Sequence, residues 1–289
     1  MKGPQVSRDE HGRSRLCHGP IDLIVEMFGS KTEVDRAQAQ VAAYFQEVLN
    51  GLVAELALLR RPLGAAYPMF HGPVARAMAR AAWPHRDAYI TPMAAVAGAV
   101  ADAVLAAAVE GRVLQKGYVN NGGDIAFHLT PGETLDAGVV ADLKTGGLSG
   151  HMHLTHGMVA RGLATSGWRG RSHSRGIADA VTVLAASAAQ ADAAATMIAN
   201  RVDVDHPGIE RVPANSLDPD SDLGELAVTV AVAPLPEGAR RAALLSGVDL
   251  ARGLLAQGII MGAMLSLGDQ AATVGGLAGD ARQNKGSRQ

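Results

Sequence analysis

The sequence predicts an α+β fold, with antiparallel or mixed sheets packed against Ala-rich helices in one compact unit. Three observations lead there. Some stretches repeat apolar residues at three- and four-residue steps, while others read strand, glycine turn, strand, the marks of helix and hairpin. The 289 residues are 48% hydrophobic and 19% charged, which supports a sizeable core. No composition shift divides the chain convincingly. The expected layout is a flexible N-terminus at 1–12, a domain at 13–269 and a disordered, glycine-rich tail at 270–289.

The same composition narrows function. A net charge of -2 argues against a general nucleic-acid binder. Aromatics at 3% leave no platform for stacking single-stranded bases. Cys17 is the only cysteine, so there is no disulfide framework; a small, partly buried residue is the preferred reading over a reactive thiol. The first fifteen residues lack the apolar core of a signal peptide, and a cytoplasmic location is expected.

The elements follow in order. RSRLCH and IDLIVEMF flank Gly19-Pro20 and predict a hairpin, with Asp22 and Glu26 on one solvent-facing side. Ser30 and Glu33 fit a capping box that opens a helix to Arg61, with one apolar stripe from Val34 to Leu59 and Pro62 as its stop. A shorter helix spans Pro73 to Ala82, with His71 and His85 read as surface residues on either side. Thr91-Pro92, a hydroxyl cap followed by proline, starts an Ala-rich helix that reaches Gly111. That helix is barely long enough to span a bilayer, and Asp102 interrupts it. A core helix packed through small residues is preferred, with Asp102 paired near one end of the packing face rather than facing a ligand.

YVNNGGDIAFHL, Tyr118 to Leu129, reads as two strands about Gly122-Gly123. Two readings stand: an Asn-Gly hairpin, or a turn whose bare backbone N–H groups approach a phosphate or ring, with Asn120, Asn121 and Asp124 adding short polar side chains. Residues 138–160 predict another hairpin about KTGGLSG. His151 and His153 share a strand face there, but nothing nearby completes a metal site. Residues 203–224 read as a polar loop. Its Asp218, Asp220 and Asp222 lack the glycine and closing glutamate of a calcium loop. A strand at 225–233, a helix at 237–257 and a strand at 259–267 close the chain. AVTVLA at 180–185 and AVTVAV at 227–232 raise a duplicated strand–helix unit or a chance echo.

The stretch from Leu163 to Asn200 organises the rest. Thr165, Ser166 and Gly167 form a polar turn after a strand, with donors for an anion. Arg169 and Arg171 can pair with phosphate oxygens, and His173 can act as acid or base near neutral pH. Asp192 and Thr196, four apart on a predicted helix, lie one turn apart on one face. They suit magnesium, which takes oxygen ligands and few of them from protein. Such an ion would neutralise a diphosphate and stabilise a leaving phosphate. No P-loop, G-x-S-x-G elbow, H-E-x-x-H motif or convincing dinucleotide fingerprint is present, which leaves little support for a Rossmann dehydrogenase or a Ser hydrolase.

These residues carry a resemblance. VNNGGDIAFHL resembles the nlGGDi turn of the ApbE superfamily of FAD:protein FMN transferases; LATSGW resembles its aTSG turn, and VTVLAASAAQADAAATMIAN its svtV strand and ADalaT helix. Further pieces, among them HGPIDLIVEMFG, ITPMAAVAGAVAD and DSDLGELAVTV, extend the likeness over most of the chain to an uncharacterised ApbE-like family. The resemblance implies an ApbE-like flavin-binding fold, FAD or FMN as ligand, and magnesium at Asp192 and Thr196. It places Gly122, Gly123, Asp124, Thr165, Ser166 and Gly167 along the flavin site. It implies transfer of FMN to a hydroxyl of an acceptor protein with release of AMP, or cleavage of the FAD diphosphate. The HiidPrTG segment of the transferases is replaced by WRGRSHSRGIADA, in which His173 stands for the histidine and the Pro and Thr-Gly are missing. A flavin or small-ligand binder that has lost the chemistry is the alternative. The expected partners are a diphosphate or flavin ligand and a protein acceptor of FMN, with neither nucleic acid nor membrane; a homo-oligomer is compatible.

Overall fold

The structure, a computed structural model, describes residues 3–10, 12–140 and 148–276. It is α+β. The chain opens with strands β1 (Gln5–Arg8), β2 (Ser14–His18) and β3 (Ile21–Gly29), then helices α1 (Lys31–Ala54), α2 (Leu56–Leu59) and α3 (Pro73–Ala82). Helix α4 (Val96–Val109) precedes strands β4 (Leu114–Asn121), β5 (Asp124–Leu129), β6 (Thr134–Val140), β7 (Leu148–Thr155), β8 (Gly162–Ser166) and β9 (Ala180–Ala185). Helix α5 (Ala188–Arg201), strand β10 (Ile209–Pro213), helix α6 (Ala214–Leu217), strand β11 (Ala227–Val232), helix α7 (Glu237–Ala256) and strands β12 (Gly262–Leu267) and β13 (Gln270–Gly275) complete it.

Nine strands make one sheet in the order β1-β2-β3-β4-β5-β8-β9-β12-β13. Every neighbouring pair is antiparallel. The period of two sends Leu23 and Val25 of β3, and Val181 and Val183 of β9, into a core shared with the helices. Phe127, Leu163 and Leu184 point the other way, where the β6–β7 ribbon covers them through Met152 and Leu154.

Helix α1 buries Val41, Phe45, Val48 and Leu52 along the expected stripe. Only half of its capping box forms. Ser30 Oγ accepts from Glu33 N at 3.3 Å, but the Glu33 carboxylate accepts from Val113 N at 2.9 Å instead of reaching back. The Thr91 hydroxyl accepts from Met93 N at 3.2 Å and starts a 3-10 turn, Pro92–Ala95, that leads into α4. The segment Pro92–Val109 is long and apolar enough to cross a membrane by length and composition, yet half of it is buried within the fold. It packs on α1, α3, α5, β4 and β5, the close-packed arrangement its alanines favour.

Several expectations are corrected. Residues 5–8, read as part of a loose N-terminus, pair with β2. The loop at 203–224 contains β10 and α6, and Asp222 ties it to the domain by accepting from the Thr91 hydroxyl. Residues 270–275, assigned to the tail, form β13 and pair with β12; 277–289 lie outside the described residues. So do 141–147, which hold most of the KTGGLSG turn. His85 is buried rather than on the surface, and that burial pulls its pKa down to about 4. The two AVTV strands are not equivalent: β9 is central in the large sheet, while β11 forms a two-stranded sheet with β10 among the described residues.

Candidate functional site

The site begins at the β4–β5 hairpin. Asn121 and Asp124 face each other across a two-residue turn. Gly122 and Gly123 have φ of 67° and 115°, a left-handed backbone that glycine alone adopts without strain. Asn120 Oδ1 accepts from Gly123 N at 2.8 Å, and Asn121 Nδ2 donates to Ala97 O at 3.1 Å. The hairpin is therefore pinned to the start of α4. By alternation with Ile125, Asp124 points to the helix side of the sheet.

Helix α5 comes up from below. Ser187 caps it, accepting from Gln190 N at 3.2 Å. Its first turn lies so close to β8 and α4 that a Cβ at Gly162 would stand 2.0 Å from Ala188 N, and one at Gly98 2.2 Å from Ala188 O. This approach sets Asp102 of α4 at the α5 N-terminus, where it accepts from Ala188 N and Ala189 N, both at 2.9 Å. Asp192 of α5 in turn accepts from Gly98 N at 3.0 Å.

The charges of Asp124 and Asp102 both act on Asp192. Burial pushes Asp124 up to about 7, opposed by the Thr165 amide and by Arg171. Burial first, and then repulsion from Asp124, hold Asp192 well above the usual carboxylate range; the Gly98 and Ala97 amides pull it back. Burial also raises Asp102, and its two amide donors moderate the effect. Two close carboxylates that resist ionising together are a ready place for a cation. Among the described residues no three His, Cys, Asp or Glu side chains cluster as a complete protein-only metal site. A cation here would draw its remaining ligands from a hydroxyl, water or a bound phosphate. Thr196 lies one turn beyond Asp192 on α5, also half-buried.

Strand β8 and the loop after it close the site. Thr165 N donates to Asp124 Oδ1 at 3.3 Å, and the hydroxyls of Thr165 and Thr182 are 2.9 Å apart. Ser166 ends β8 opposite Val181. A Cβ at Gly167 would meet Asp179 O at 2.5 Å, so only glycine allows the loop to leave the sheet here. The loop then separates its arginines. Arg169 turns to Asp179 at 2.7 Å and lies 4.5 Å over the Trp168 ring. Arg171 goes to the other side, against the hairpin turn: a Cβ at Gly122 would stand 1.8 Å from its guanidinium. Among the described residues Arg171 has no salt bridge, and its charge acts on Asp22 and Asp124. His173 is exposed.

The structure therefore brings Gly122, Gly123, Asp124, Thr165, Arg171 and Asp192 together. It does not bring Arg169 beside Arg171, because Asp179 holds it. Asp102, Gly98 and Asp179 were not singled out as site residues. A carboxylate in the middle of an Ala-rich helix was the available signal for Asp102; nothing local marks Asp179 as the partner of Arg169. Of the strand-face histidines, His153 pairs with Asp136 at 2.8 Å.

The chain is 39% identical over 159 residues to a UPF0280 protein of Methanopyrus kandleri, covering 54% of this chain and 61% of that protein. It is 40% identical over 147 residues to a UPF0280 protein of Methanosphaerula palustris, covering 50% of this chain and 57% of that protein. The chain thus spans less than two thirds of the length of these relatives. Among solved structures it is similar to the flavinyl transferase ApbE of Pseudomonas stutzeri in its apo form, with a TM-score of 0.46, 12% identity and 95% of each chain covered. A family model described as AbpE bacteria matches residues 5–276, and the chain belongs to that ApbE-like family.

Proposed function

We propose that the chain binds a flavin nucleotide through its diphosphate, with a magnesium ion held by Asp192, Asp124 and the Thr196 hydroxyl, and that it cleaves or transfers at that diphosphate. The observation that carries the reading is the Asp124–Asp192 pair. Burial and mutual repulsion raise both carboxylates, and Arg171, which has no salt bridge among the described residues, lies against the neighbouring hairpin turn, so negative and positive charge face the same space. A metal–diphosphate ligand supplies both charges.

Magnesium, when bound, would neutralise the diphosphate and ease departure of a phosphate. The chain's own groups do the rest. Arg171 pairs with phosphate oxygens. Gly122 and Gly123, with no Cβ of their own, let the ligand approach the hairpin backbone beside Arg171. His173 exchanges the proton of the attacking hydroxyl or of the leaving phosphate. In FAD the bond broken joins the FMN phosphorus to the bridging oxygen, and the bond formed joins that phosphorus to a protein hydroxyl or water, with AMP leaving. Thr165, Ser166 and Gly167 border the ligand, and Arg169 serves by fixing the loop.

Incubation with FAD and MgCl2, with chromatography for AMP, tests the reading. AMP release that stops in Asp192→Asn is expected. FAD that binds with magnesium yet emerges intact, with or without candidate acceptor proteins, defeats the chemistry. That outcome instead favours a carrier, the reading supported by the exposed His173 and the missing Pro and Thr-Gly.

A further inference from the structure

Helix α5 is buried almost all round, and what it leaves open is a polar line. From Ala191 to Asn200, Asp192, Thr196 and Asn200 are half-buried and the other seven residues are buried. Steps of four put these three on one face, and eight residues of helix cover about 12 Å. A magnesium diphosphate at Asp192 and Thr196 occupies the first part of that line and leaves its far end open.

The far end carries an arginine. Asn200 Oδ1 accepts from Arg175 N at 2.9 Å and from Ser174 Oγ at 3.2 Å, and Arg211 Nε donates to Arg175 O at 3.3 Å. The Arg175 backbone is thus fixed on both sides. Its side chain is half-buried, yet among the described residues it has neither a salt bridge nor a hydrogen bond. None of its nitrogens is sealed from solvent. The neighbouring half-buried arginines are engaged: Arg161 donates to the Met158 and Ala160 carbonyls, and Arg169 and Arg211 pair with Asp179 and Asp203. A partly desolvated guanidinium without an anion, on a backbone already ordered, is prepared to bind one.

The segment facing α5 leads to the same place. Helix α4 runs antiparallel to α5, since Asp102 meets Ala188 and Ala189 while Gly98 meets Asp192. The Pro92–Ala95 turn continues along α5. Just ahead of it, Tyr89 donates to Asp222 O at 2.6 Å and feels the Arg175 charge. The Arg171 charge acts instead on Asp22 and Asp124. The two arginines therefore serve different ends of one line.

We propose that the ligand carries a second anionic group, a phosphate or carboxylate separate from its diphosphate, and that Arg175 binds it. The inference rests on the diphosphate reading above and narrows the ligand class. FAD has no charge beyond its diphosphate, so the full complement of this site is a nucleotide with one further anion.

Titration calorimetry on the full chain with MgCl2 compares ligands that differ at that group: CoA with dephospho-CoA, NADP with NAD, and UDP-glucuronate with UDP-glucose. ADP reports the diphosphate alone. In at least one pair the member with the extra anion is expected to bind about tenfold more tightly, the worth of a charge-assisted hydrogen bond. A preference in the CoA or NADP pair assigns a phosphate, and one in the UDP-sugar pair a carboxylate. Arg175→Met is expected to keep the ADP affinity and abolish the preference, and Arg175→Lys to retain part of it. Asp192→Asn should weaken both members of the pair alike. If Arg175→Met lowers the melting temperature, Arg175→Gln replaces it. ADP binding with no preference in any pair, or a preference that survives loss of the Arg175 charge, overturns the second anion site and leaves the diphosphate reading. A wild-type chain that does not bind ADP overturns both.

Discussion

Asp102 and Asp192 cap each other's helices. Asp102 of α4 accepts from the first two amides of α5, and Asp192 of α5 accepts from the Gly98 amide in the first turn of α4. Each carboxylate also meets the positive end of the opposite helix dipole. The same exchange fixes Asp192, on which the Asp124 charge also acts, so the scaffold and the proposed cation site share one device.

Removing one side of the exchange strands donors. Asp102→Ala leaves the Ala188 and Ala189 amides without their acceptor, at a cost of about 2 kcal/mol. Asp102→Asn keeps one acceptor oxygen and is expected to lose less. Urea denaturation with both variants checks the order; equal midpoints for the two contradict the capping role.

Gly98 tests the close approach of α4 and α5. Gly→Ala in an open helix interior gains roughly 0.5–1 kcal/mol, and Gly51 of α1, whose added Cβ meets nothing within 4 Å, should show that gain. At Gly98 the Cβ would meet the Ala188 backbone oxygen at 2.2 Å, which cannot swing aside. Gly98→Ala is therefore expected to cost about 1–3 kcal/mol. Paired melting curves of Gly51→Ala and Gly98→Ala should shift in opposite directions.

The carboxylate pair sets a pH signature. Unfolded, Asp124 titrates near the ordinary value of about 4; folded, it holds its proton to about 7. Between these values the folded chain binds the extra proton, so this group's contribution falls as pH rises through that window. His85 acts oppositely. Burial draws its folded pKa to about 4, and its contribution is lost as pH falls below about 6.5. The difference between wild type and Asp124→Asn isolates Asp124. The variant should gain stability relative to wild type as pH goes from 5 to 8, without added metal. A constant difference across that range would show that Asp124 ionises normally.

Magnesium should reverse the penalty. Cation binding displaces the proton of the pair, so affinity for MgCl2 in the presence of ADP is expected to rise from pH 6 to pH 8. Calorimetry in buffers of different ionisation enthalpy reads the released proton directly. Proton release that persists in Asp124→Asn would assign it elsewhere.

Much of this was legible in the residues. The α1 stripe, the Pro73–Ala82 helix and the glycine hairpin follow from local spacing, and structure and sequence agree there. What local pattern could not show was pairing across distance. β1 and β13 are short, and among the described residues each pairs with one neighbour; their sequences QVSR and QAATVG carry little apolar signal. Arg169 and Arg171 look equivalent in WRGR, and Asp179, ten residues on and just before β9, separates their roles. Asp192 was visible as half of an Asp-x-x-x-Thr pair, but its bond to Gly98 spans 94 residues and leaves no trace in spacing.

Asp124 and Asp192 are proposed to hold a divalent cation together. Crystals grown with MnCl2 and ADP, with manganese standing in for magnesium, give the position by anomalous scattering. A peak is expected at bonding distance, about 2 Å, from a carboxylate oxygen of Asp192 and of Asp124, with phosphate oxygens on its open side toward Arg171. ADP bound with no peak between those carboxylates, or manganese bound elsewhere on the chain, would contradict it.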